Sequence, residues 1–136
     1  MNTKLIGLSI DPIADHEGWI KDIQDYNKLE GDFPFPLISD DRTIATKLGM
    51  LDPDELDSTV SFHNDMLYKT FQGMPLTARA VFVIGPDRKL KLSLLYPATT
   101  GRNFDEIIRV VKSLQLTAHY KVATPQNWKS GDRYQF

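Results

Sequence analysis

With 136 residues the chain has room for one domain around one core. Its formal charge of −2, from 16 basic and 18 acidic residues, gives neither nucleic acid nor an anionic membrane a reason to bind, and 41% hydrophobic with 25% charged content is ordinary for a globular protein. Cysteine is absent, which excludes disulfides, thiolate metal sites and a cysteine nucleophile within these residues.

The chain starts with Met1-Asn2-Thr3-Lys4, which lacks the apolar segment of a secretion signal, and no later run approaches the ~20 apolar residues that span a bilayer. A cytoplasmic location is the expectation. Lys4 to Ile10 reads as a strand buried on both faces. Asp11-Pro12 then opens a helix, with Asp11 at the N-cap and Pro12 at the first helical position. Trp19, Ile20, Ile23 and Tyr26 recur at helical spacing on its apolar side. Phe33 to Ile38 carries two prolines, which restrict it to an edge or terminal strand. Asp40 or Asp41 caps a short helix with Ile44, Ala45 and Leu48 inward, and Gly49 stops it. Residues 54–72 fit no period and read as a loop or a poorly packed short helix.

Arg79 to Ile84 is an apolar strand led by one cation, Gly85-Pro86-Asp87-Arg88-Lys89 is a turn, and Leu90 to Tyr96 returns as a second strand. Asn103, with Glu106 three residues later, resembles a capping box for a helix whose apolar stripe is Phe104, Ile107, Ile108, Val111 and Leu114. The tail from Val122 to Phe136 is polar and aperiodic, and reads as an extended linker. The order β-α-β-α, hairpin, helix implies an α/β domain with a mixed sheet.

Chemistry is sparse. Gly7-Leu8-Ser9-Ile10-Asp11 approaches a G-x-S-x-G nucleophile elbow but places Asp11 where the second glycine belongs, so a strand end with a helix cap is the better reading. His16, His63 and His119 lack zinc-site spacing, and His16, near a helix start, reads as structural. Asp11, Asp15, Asp40 and Asp41 are explained by capping rather than by a metal. Arg79 stands apart, because an unpaired charge entering a buried strand is expensive. Either a carboxylate such as Asp11 or Asp40 pairs with it, or it holds an anion or thiolate at the floor of a pocket.

Several segments in one order resemble the one-cysteine peroxiredoxins, and the peroxiredoxin-6-like subfamily in particular. They are Lys4 to Asp11, Asp15-His16, Phe35-Pro36-Leu37-Ile38, Leu48 to Pro53, Gly73 to Arg79, Val81 to Asp87, Leu95 to Ile107, Val122 to Pro125 and Trp128-Lys129. The resemblance implies a thioredoxin-like fold and thiol-dependent reduction of hydrogen peroxide and organic hydroperoxides, with a thiol reductant such as glutathione and no cofactor or metal. It gives Arg79 the role of stabilising the peroxidatic thiolate and polarising the peroxide. It matches Asp87 to the aspartate of a phospholipase A2 set whose serine and histidine have no match here. It places Leu92 and Leu95 at a dimer interface, so homodimerisation or pairing with a full-length subunit is expected.

The departures are equally specific. The P-x-x-x-T-x-x-C motif belongs before Lys4 and has no match, so the fold is expected to be incomplete and the chain inactive alone. The expected organisation is a partial thioredoxin-like domain over 1–118, with residues 58–72 as an inserted loop, and the start of a C-terminal domain over 119–136. Loss of a strand between the Leu5–Ile10 strand and the Arg79–Ile84 strand exposes two interior edges, which implies poor stability in isolation.

Overall fold

The computed structural model describes residues 1–51 and 77–134. It divides into two compact units, Asn2–Ala78 and, with Met1, Arg79–Phe136. The readings of a loop at 54–72 and an insertion at 58–72 fall outside the described residues.

In the first unit, β1 (Gly7–Ser9), α1 (Ile13–Asn27), β2 (Leu37–Ser39) and α2 (Thr43–Lys47) follow in order. β1 and β2 pair in parallel with Gly7, Leu8 and Ser9 opposite Leu37, Ile38 and Ser39, and α1 is the crossover between them. The strand is shorter and wetter than its apolar run suggests. Leu5 and Ile6 are 63% and 67% exposed, because β1 has a neighbour on one side only among the described residues.

Capping differs from expectation at α1; at α2 the N-cap position is Arg42, while the expected Asp40 and Asp41 carboxylates do hold the first-turn N–H groups. Pro12 itself is the α1 N-cap, with no side-chain cap, and the Asp11 N–H instead donates to Ser9 Oγ. Asp40, 5% exposed, accepts from the Ile44 and Ala45 N–H groups at 3.0 and 2.8 Å, and Asp41 accepts from Thr43 N–H. At the far end of α2 the Met50 N–H reaches Ala45 O and the Gly49 N–H reaches Thr46 O, a Schellman closure with Gly49 at φ 62°. The small core of this unit is Ala45, Met50 and Ala78; Ile44 and Leu48, expected inward, are 39% and 47% exposed. The α1 stripe is also open, with Tyr26 at 88%, and the residue α1 does bury is His16.

The second unit holds β3 (Arg79–Ile84), β4 (Leu90–Tyr96) and α3 (Phe104–Tyr120). The strands form an antiparallel hairpin from Arg79 opposite Tyr96 to Ile84 opposite Leu90, with an irregularity after Val83 that leaves Lys91 without an opposite number. The Gly85 N–H donates to Lys89 O and the Arg88 N–H to Gly85 O, which closes the expected turn. The mixed sheet is therefore present as a parallel pair and an antiparallel pair, with no ladder joining them among the described residues.

Asn103 caps α3 by accepting from the Glu106 N–H at 3.2 Å. The return half of a capping box is missing, because the Glu106 carboxylate is held by Arg109 through Nε at 2.6 Å and Nη2 at 2.7 Å. Helix α3 continues well past Leu114 to an αL cap at Lys121.

The tail is not an extended linker. Arg109 Nη1 donates to Trp128 O at 3.3 Å, Ser113 and Thr124 share a hydroxyl hydrogen bond of 2.7 Å, and Trp128 Nε1 donates to Asp132 O. Trp128 and Val122 are 4% and 8% exposed, and with Val111 at 8% they make the core of this unit. One indole supplies the apolar area that the polar tail otherwise lacks, so a segment without periodicity still folds onto a helix.

Candidate functional site

Arg79 begins β3, where the register sets it opposite Tyr96. Contrary to a buried-strand reading, the residue is exposed, so its charge remains solvated. Its Nε donates to Ala98 O at 2.9 Å. A main-chain carbonyl orients the guanidinium without neutralising it.

A second cation joins it. Arg102 Nε and Nη2 both donate to Ala80 O, at 3.3 and 3.1 Å. Partial desolvation, and then repulsion from Arg79, lower the Arg102 pKa from its ordinary value. Each guanidinium is thus held on a backbone oxygen, and the two like charges repel one another. Sequence reasoning passed over Arg102, although a signal was available. A cation just ahead of the Asn103 cap opposes the α3 macrodipole, so its position costs energy that the hydrogen bonds to Ala80 O offset.

The other expected site residues are dispersed. Asp87 lies in the β3–β4 turn, where it accepts from the Lys89 N–H at 3.2 Å and pairs with Lys91 Nζ at 2.7 Å. The Lys91 hydrogen bond holds its carboxyl below the usual carboxylate range. Leu92 stands opposite Val83 and Leu95 opposite Ala80, on opposite faces of β4. Leu95 is 56% exposed and Leu92 half-buried, so the two can share an interface through the edge of the strand but not through a single face.

One further contact sits at the carboxyl end of the parallel pair. Ser9 Oγ and His16 Nε2 are 2.6 Å apart, and His16 is 5% exposed with its ring 5.6 Å from that of Trp19. The sequence marked both residues singly; their contact depends on the turn that brings α1 back over the end of β1. Among the described residues no group of three His, Asp or Glu side chains could hold a metal ion, and no helix is long and apolar enough to cross a membrane.

A βαβ unit followed by a hairpin and a long helix, with two cations at the open end of the hairpin, defines a thioredoxin-like α/β protein of peroxiredoxin type. The family model described as "AhpC/TSA family" matches residues 1–93, and the chain belongs to that family. It is similar to Peroxiredoxin-6 of Gallus gallus, 61% identical over an alignment of 137 positions that covers 96% of this chain and 54% of that protein. Peroxiredoxin-6 of Homo sapiens is 59% identical over 134 residues, with the same coverage of 96% and 54%. The chain thus spans about half the length of the curated relatives it matches. Among solved structures, a cysteine-to-serine mutant of the Peroxiredoxin 6 of Arenicola marina superposes with a TM-score of 0.82 at 57% identity, over 96% of this chain and 54% of that one. A yeast mitochondrial 1-Cys peroxiredoxin, described for its thiol resolving mechanism via glutathione/thioredoxin systems, gives 0.73 at 36% identity over 98% and 57%.

Proposed function

We propose that the chain is the arginine-bearing part of a one-cysteine peroxidase that reduces hydrogen peroxide and organic hydroperoxides, phospholipid hydroperoxides included. The observation that carries this reading is the Arg79–Arg102 pair, two guanidiniums fixed by Ala98 O and Ala80 O. In the proposed reaction a thiolate attacks the terminal peroxide oxygen and the O–O bond breaks. The thiolate becomes a sulfenic acid, and the departing oxygen leaves as an alkoxide or hydroxide that takes up a proton. Negative charge moves from sulfur to the leaving oxygen, and fixed cations beside that path stabilise both ends of it. A thiol such as glutathione then condenses with the sulfenic acid and releases water.

None of the 136 residues is a cysteine, so the thiolate must come from outside them and the chain by itself does not turn over. Arg79 has the direct role, with Arg102 beside it. Residues 119–136 open the C-terminal domain in this reading, and the setting is cytosolic.

A second reading rests on β4. Its outer edge has no ladder partner among the described residues, and Leu95 is exposed there. The irregularity at Lys91 discourages indiscriminate pairing, which leaves the edge to a matched strand, such as that of a second or full-length subunit. A phospholipase role for Asp87 is not proposed, because its carboxylate is committed to Lys91 and the Lys89 N–H.

Peroxide consumption with glutathione tests both readings. The chain alone is expected to be inert, and turnover by it overturns the claim of inactivity. Joined to an N-terminal segment that carries the P-x-x-x-T-x-x-C motif, it is expected to turn over, and Arg79→Ala to lower that rate by about 10²-fold or more. An unchanged rate removes Arg79 from the mechanism. Co-elution with full-length Peroxiredoxin-6 and an altered rate support the β4 reading; separate elution refutes it.

A further inference from the structure

The sequence singled out Gly7-Leu8-Ser9-Ile10-Asp11 as a defective nucleophile elbow, and the peroxidase reading leaves it unused. We propose that Ser9 is an acyl acceptor for small activated carboxylic esters, with His16 as its general base.

Four observations support this. Ser9 ends β1 at the carboxyl edge of the parallel β1–β2 pair, where the chain turns directly into α1. Its Oγ lies 2.6 Å from His16 Nε2, within the distance a nucleophile and base require. The Asp11 N–H donates to Ser9 Oγ at 3.3 Å and leaves the Oγ proton available to Nε2 in the tautomer where that nitrogen is the acceptor, which is the direction of general-base transfer. Finally, α1 starts at Pro12 with no side-chain cap, and the Asp15 and His16 N–H groups turn back to Pro12 O. The earlier N–H groups of that first turn are left as donors for developing negative charge.

The step balances. Ser9 Oγ bonds to the ester carbonyl carbon as its proton passes to Nε2. The tetrahedral intermediate collapses, the bond to the leaving oxygen breaks, and Nε2–H protonates that oxygen. Water then attacks acyl-Ser9 by the same proton path, releasing the carboxylic acid and regenerating the hydroxyl. His16 is oriented by burial and by the Trp19 ring rather than by a carboxylate, so acylation outpaces turnover.

The test is p-nitrophenyl acetate added to the whole chain, with p-nitrophenolate release followed and the acetyl group located by peptide mass mapping. Acetylation at Ser9 is expected. Ser9→Ala should abolish it, and His16→Gln should slow it by about 10²-fold, the usual contribution of a general base. Because His16→Gln removes a buried ring, its circular dichroism is compared with wild type, and the pH profile of wild-type acylation gives an independent readout. Acetyl groups confined to lysines, or a rate unchanged in Ser9→Ala, overturn the proposal. Because no peroxide or thiol is involved, failure here leaves the peroxidase reading untouched.

Discussion

Trp128→Ala tests whether the tail is part of the folded unit. The indole is 4% exposed, and an aromatic of this kind buries roughly 200 Å², worth about 5 kcal/mol at 25 cal/mol per Å². That figure is an upper bound, since an unfolded tail already hides some of this area. Core Trp→Ala substitutions cost about 3–5 kcal/mol, and a surface segment that can collapse belongs at the lower end, about 3 kcal/mol. The loss should be local, because Trp128 holds the tail while Val111 and Val122 complete the cluster. Hydrogen exchange of the α3 amides from Val110 to Leu114 reads it directly. About 3 kcal/mol corresponds to a loss of protection somewhat above 10²-fold. Trp128→Phe keeps a ring but loses the hydrogen bond to Asp132 O, and should cost about 1 kcal/mol for that bond. If Trp128→Ala changes α3 protection less than about fivefold, or if wild-type tail amides exchange at the unfolded rate, the tail is not docked and the argument fails.

Other perturbations probe the remaining joints. Asp40→Ala leaves the Ile44 and Ala45 N–H groups unpaired and should destabilise α2 by about 1–2 kcal/mol, visible as faster exchange at Met50 and Ala78. Lys28, the αL residue closing α1 at φ 53°, should gain roughly 0.5 kcal/mol when changed to Gly, read as increased protection at the end of α1. The Arg109 hydrogen bond, followed by Arg109's positive charge, holds Glu106 below its ordinary 4.5. A depressed folded-state pKa contributes stability that is fully present above the unfolded value and lost as pH falls through the folded one. Tail protection should therefore weaken on acidification below about 4.5, and Glu106→Gln should flatten that dependence; a wild-type profile that is flat in acid refutes it. Asp41, held low by Thr43, and Asp87, held low by Lys91, push in the same direction. The isolated chain should unfold over a broad range, and a sharp cooperative transition in a monodisperse sample argues against that expectation.

The elements that the sequence made legible are those with local causes. Apolar period and turn chemistry sufficed for the hairpin around Gly85 to Lys89 and for α3 with its Asn103 cap. A glycine free to take φ 62° sufficed for the end of α2. These depend on residues within one or two turns of each other, so a linear reading captures them. Arg79 was legible as an energetic anomaly, and its match to a family position came from segments in sequence.

Other features required positions that only folding brings together. The lengths of β1 and of the inward faces of α1 and α2 were overestimated, because apolar pattern marks what could be buried and not whether a neighbour arrives to bury it. Arg79 proved exposed for the same reason, with its guanidinium on Ala98 O nineteen residues away. Arg102 joined it only through the carbonyl of Ala80, across the hairpin and its following loop. The tail misled most, since one tryptophan has no period, and its burial depends on Arg109 and Val111 on another element. What the sequence by itself determined was family, element order and the Asn103 and Gly49 caps, all written in neighbouring residues. Only the tertiary structure decided which cations share a field, which apolar residues find cover, and that Ser9 meets His16, because those are contacts between segments whose meeting no local pattern encodes.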